Sequence, residues 1–98
     1  MSSKIRVIVT LEVTEGKKQD VLNILKPMSE QAKKREGVLS HDIYSSAQNP
    51  NELIIDHLWS SKELFNKHFN SPEAAKVRET INKLLAKPLQ PKIYDEIT

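Results

Sequence analysis

Cysteine is absent from the 98 residues. That excludes a disulfide framework, a thiolate nucleophile and a cysteine-ligated metal, and it suits a reducing cytoplasm. Glycine is scarce. The chain has only two, too few for a glycine-rich loop that cradles phosphate. Charge of one sign is also lacking: 15 Lys and Arg stand against 13 Asp and Glu, a net charge of +2. The basic residues are scattered, and no basic stripe interleaved with aromatics marks a nucleic-acid face. The densest run, Lys33, Lys34 and Arg35, reads as the solvated last turn of a helix, where cations complement the dipole. No apolar run approaches the ~18 residues of a membrane span, and no signal peptide precedes Ile5. The expectation is a cytoplasmic protein with neither nucleic acid nor membrane as partner.

What is present reads as a small globular domain. The chain is 38% hydrophobic and 29% charged, outside the disordered range. Residues 1–98 form one domain with a modest core, which a partner subunit would help to stabilise.

The alternation Ile5, Val7, Val9, Leu11, Val13 predicts a strand over residues 4–13. Helical spacing of Val21, Ile24, Leu25, Met28 and Ala32 predicts a helix over 17–36, kinked at Pro27 and stopped by Gly37. Strands are predicted over 38–45 and 52–59, joined by the turn-forming Ser46–Asn51. Ser60 with Glu63 matches a capping box for a short helix reaching Phe69. Ser71-Pro72 starts a second helix, whose buried stripe is Ala74, Val77, Ile81, Leu84 and Leu85, with Pro88 as its end. A last strand covers 89–97, with Pro91 placing it at a sheet edge.

The order β-α-β-β-α-β predicts an α+β, ferredoxin-like fold: a four-stranded antiparallel sheet with helices on one face. The other face would carry Ile8, Ile54 and Leu58 beside Tyr44. Apolar residues there predict a homodimer that covers them.

Two of the three histidines fall on the apolar face. If the hairpin loop is centred on Asn49, Ser45 faces Leu53, Ile43 faces Ile55, His41 faces His57, and Leu39 faces Trp59. Opposed Cβ atoms lie about 5 Å apart. Burial and mutual repulsion then keep at least one imidazole neutral at pH 7, able to take a proton from an acidic hydroxyl. The plainer reading is that the two rings bond each other or a backbone group. His68 lies one turn after Leu64 and Phe65, at the mouth of the same pocket or at the edge of an amphipathic helix. Trp59 reads as core, or as an aromatic wall with its indole N–H free for a substrate oxygen. Asp56 falls on the opposite face from His57. No metal-ligand spacing stands out, and no metal site is expected.

The run Gly37-x-Leu39 with Tyr44, then Asn49-Pro50, a strand ending in Trp59, then Ser61, Phe65, His68 and Ser71-Pro72, resembles the antibiotic biosynthesis monooxygenase family. The resemblance spans nearly the whole chain and is strongest over Trp59–Pro72. It implies a dimeric α+β barrel that oxidises a quinol or polyketide-like phenol with O2, without metal, flavin or other cofactor. Other members are isomerases, and some haem-degrading enzymes share the scaffold. The resemblance carries Trp59 and His68 over as pocket residues; together with the hairpin reading, the catalytic candidates are His57, His41 and His68, with Trp59, Ile55 and Phe65 against a small aromatic substrate. The chain departs from the family where Glu is common two residues before the tryptophan (here His57), where an aromatic is common (here His41), and where polyketide-oxidising members have Asn (here Ile55). Val9 stands where haem-degrading members need Asn. The alternatives are an isomerase or other proton-shuttling enzyme on a small polar metabolite, and a non-catalytic dimeric binding or stress-response domain.

Overall fold

The computed structural model describes residues 4–97. The elements are β1 (Ile5–Glu12), α1 (Lys18–Ala32), β2 (Val38–Ser45), β3 (Glu52–Trp59), α2 (Lys62–Phe69), α3 (Pro72–Asn82) and β4 (Gln90–Asp95). The strands form an antiparallel sheet in the order β2-β3-β1-β4. The helices cover one face, the α+β ferredoxin-like arrangement. No helix among the described residues is long and apolar enough to cross a membrane.

Period-two alternation places the core. Ile5, Val7, Leu11, Leu53 and Trp59 point under the helices and are almost fully buried, where Val21, Leu25, Phe65 and Ile81 meet them. The opposite face carries Ile8, Ile54 and Leu58, all partly buried, between the half-exposed Tyr44 and Tyr94. Arg6 Nη1 donates to both carboxylate oxygens of Asp56 there, at 2.6 and 2.8 Å.

Four expectations need correction. The hairpin register holds from Ser45 to His41, but a bulge between Val38 and Ser40 places Val38, not Leu39, opposite Trp59. Leu39 is the extra residue and is 51% exposed. The first helix ends at Ala32, so Gly37 does not cap it. Gly37 instead stands at φ +92 against α2, where an added Cβ would lie 2.7 Å from Leu64 Cδ1. The cap of α2 is Ser61, whose Oγ accepts from Leu64 N at 3.1 Å; the Ser60 N–H donates to the Gly37 carbonyl at 2.7 Å instead. The third helix ends at Asn82, well before Pro88, and Leu85 forms an isolated bridge with Val13.

Other local chemistry follows the sequence. Ser71 caps α3 by accepting from Ala74 N at 3.2 Å, ahead of Pro72. Pro27 lies within α1, which continues through it to Ala32. Pro91 sits in the edge strand β4 opposite Val9, where a missing N–H breaks no interior ladder.

Candidate active site

Between the sheet and the three helices lies a cavity of about 330 Å³. Its floor is the inner face of the sheet: Val7, Val9, Ile55, His41 and His57. Phe65 and His68 of α2 and Val77 and Ile81 of α3 form the wall. Most of this lining is apolar, which suits a flat hydrophobic guest.

β2 and β3 bring the two histidines together. His41 pairs with His57 across the hairpin, and their ring centroids are 5.0 Å apart at 45°. They are 5% and 7% exposed. Each ring has one local partner, and neither bonds the other. Ser29 Oγ of α1 lies 2.8 Å from His41 Nδ1 and donates to the His41 carbonyl at 3.3 Å. The Trp59 indole N–H donates to His57 Nδ1 at 2.7 Å.

The electrostatics favour neutral rings. Burial, then the neighbouring His41 and His68, push the His57 pKa down to about 3. Burial lowers that of His41, against the pull of the Asp42 carboxylate and with help from Lys33. His68 is lowered by burial, then by Arg35, His41 and Arg78, with Glu73 opposing.

Trp59 differs from the expectation of a free aromatic wall. It is 1% exposed, does not line the cavity, and its N–H is engaged by His57. Its ring instead packs edge-on against Phe65, and His68 stacks on it at 5.5 Å and 28°. His68 therefore stands between the cavity and Trp59, with a buried Nδ1 that makes no hydrogen bond. Ile55 and Phe65, the other two candidates for substrate contact, line the cavity.

Several polar residues at the cavity escaped sequence reasoning. Arg35 lines it and pairs with Glu73 of α3 at 3.5 Å, rather than merely capping a helix dipole. Arg78 also lines it, held over the Phe69 ring at 3.9 Å and donating to the Phe69 carbonyl at 2.8 Å. No local motif joins residues so far apart in the chain. Ser29 did leave a signal, because Val21, Leu25, Ser29 and Ala32 share one helical face. A lone polar residue in a buried stripe needs a partner, and His41 is that partner. Among the described residues, no three His, Asp or Glu side chains converge as metal ligands.

The family profile for antibiotic biosynthesis monooxygenases matches residues 4–80. The chain belongs to this family. An uncharacterized protein of Synechocystis is 26% identical over 84 residues, covering 86% of this chain and 57% of its own length. Protein SchA of Streptomyces halstedii is 30% identical over 71 residues, covering 72% of this chain but 19% of its own. The chain thus spans little more than half of the first relative and a fifth of the second. A conserved protein from Methanosarcina mazei has the same fold, with a TM-score of 0.90 at 24% identity, covering 98% of this chain and 95% of its own.

Proposed function

We propose that this family member is a cofactor-free monooxygenase that oxidises a quinol or polyketide-like phenol with O2. The observation that carries the reading is the pair of buried imidazoles, held neutral, on the floor of an apolar cavity. One ring takes the phenolic proton. The resulting electron-rich anion reduces O2, a carbon–oxygen bond forms, and loss of water leaves a quinone. One oxygen atom ends in the product and one in water. The phenolate supplies the electrons, so the scheme needs no metal or flavin. The protein contributes positioning, deprotonation and a dry site. Arg35 and Arg78 at the cavity favour a substrate that also bears an acidic group. The outer sheet face, with Ile8, Ile54 and Leu58, supports a homodimer built across it.

The test is oxygen uptake with a reduced naphthoquinol, comparing wild type with His41→Ala and His57→Ala. Loss of uptake in the variants, with one ¹⁸O atom from ¹⁸O2 entering the product, is expected. Equal rates in all three proteins at every pH would sink the proposal. The paired rings also suit an isomerase. Exchange of a substrate C–H proton for deuterium, with no oxygen consumed, would favour that second reading.

A further inference from the structure

We infer that His41 is the base and His57 the hydrogen-bond donor, that Ser29 and Trp59 impose these unlike roles by fixing opposite tautomers, and that the pair is built to take the hydroxyl of a phenol or enol. The catalytic half of this inference rests on the function proposed above. The tautomer half does not.

Trp59 decides the state of His57. An indole nitrogen can only donate. At 2.7 Å from His57 Nδ1 it requires a lone pair on that atom. The ring proton of a neutral His57 must therefore sit on Nε2. Protonating Nδ1 would set two N–H groups against each other among residues that are 1% and 7% exposed. His57 cannot act as a base without breaking this bond, but its Nε2–H remains to donate.

Ser29 decides the state of His41. Its hydroxyl has a single proton and two near neighbours, the His41 carbonyl at 3.3 Å and His41 Nδ1 at 2.8 Å. Both contacts are hydrogen bonds at once only if the hydroxyl donates to the carbonyl and Nδ1–H donates to the oxygen. Nε2 of His41 then carries the lone pair. Ser29 is 6% exposed, so leaving either group unmet would be costly.

The two rings thus offer complementary atoms to one guest oxygen. A hydroxyl can donate to His41 Nε2 while accepting from His57 Nε2–H, and centroids 5.0 Å apart bring both rings within its reach. A ketone or ether oxygen satisfies His57 alone and leaves His41 unmet. In the proton transfer the substrate O–H bond breaks and an N–H bond forms at His41 Nε2. The imidazolium keeps its Nδ1–H on Ser29, and the substrate oxyanion stays on His57. Ser29 and Trp59 are positioning residues, acting through the rings they hold.

The test reads the rings directly, by long-range ¹H–¹⁵N NMR of the histidine side chains at pH 7.5. In wild type, His57 should show a protonated-type Nε2 and an unprotonated Nδ1, and His41 the reverse. Trp59→Phe should move His57 towards a mixture of tautomers while leaving His41 unchanged, and Ser29→Ala should do the converse. The same tautomer on both rings of the wild-type protein overturns the inference, and that measurement needs no variant to fold. In oxygen uptake, His41→Gln should lose about 10²–10⁴-fold in kcat. His57→Gln, whose amide can still donate, should keep most of it. Comparable losses in the two overturn the assignment of roles. If opposite tautomers are found and no hydroxylated substrate turns over, the proposed function and the base role of His41 fall together, and the tautomer assignment stands.

Discussion

Acid should unfold this protein through its buried histidines, and His57 sets the scale. In the native fold its pKa lies at about 3; in the unfolded chain it is near 6.5. The direction follows from proton counting. Below pH 6.5 the unfolded chain binds a proton that native His57 refuses, so stability falls as pH drops, down to the folded pKa. Each pH unit in that window removes about 1.4 kcal/mol for one such group. From neutral pH to pH 5 the loss from His57 alone is about 2 kcal/mol, and by pH 3 about 4 kcal/mol. Against a typical stability of 5–15 kcal/mol for a domain, that is a large fraction. His41 and His68 are shifted in the same direction and add to the loss.

The assay is urea unfolding between pH 7.5 and 4.5 at a fixed protein concentration. It is followed by the fluorescence of Trp59, the only tryptophan and almost wholly buried. His57→Gln removes the titrating ring, so its stability should fall by about 2 kcal/mol less than wild type between pH 7.5 and pH 5. Identical pH dependence in the two proteins would refute the reasoning, since it would mean that His57 charges as readily folded as unfolded.

Gly37→Ala should lower stability by roughly 1–3 kcal/mol, because it combines positive φ with a Cβ 2.7 Å from Leu64 Cδ1; an unchanged Tm would refute this. Leu58→Glu, on the outer sheet face, should convert a dimer to monomers in sedimentation velocity, and a wild-type protein already monomeric at micromolar concentration would remove the proposed dimer. Arg35→Gln should weaken binding of a carboxylated naphthol about tenfold and leave a neutral naphthol unaffected. Its exposed pairing with Glu73 contributes little to stability, so equal Tm values are expected, and equal loss of both ligands would count against an anion-binding role.

The fold was legible because its signals are periodic. Alternation in β1 and β3 survives as strict alternation of burial, and it carried the register that brings His41 opposite His57. Where the sequence misled, two local solutions competed and a distant contact chose between them. Ser60 and Ser61 both precede helix-compatible residues; the Gly37 carbonyl engages the Ser60 N–H and leaves Ser61 to cap. Leu39 looked like a core residue by parity, but a bulge adds one residue to β2 and parity cannot register it. Arg35 reads from its neighbours as a helix-end cation. Its place at the cavity depends on Glu73, contributed by another helix.

The base role proposed for His41 follows from which residue stands at position 57. The family resemblance implies glutamate as the common residue at position 57. A carboxylate has about four lone-pair sites, so it can accept the Trp59 indole bond and still accept from a substrate. A neutral imidazole has one lone pair. Here the indole bond occupies it, and the same contact that orients His57 removes its basicity. A base must then come from the next ring, and position 41, directly across the hairpin, supplies one with Ser29 behind it. The two histidines then depend on each other. His57→Glu with His41 retained should keep a base at the site, and the double variant His41→Phe with His57→Glu should remain active. His41→Phe alone should not. Activity in His41→Phe alone would show that His57 can give up its indole partner, and the argument from lone pairs would fail.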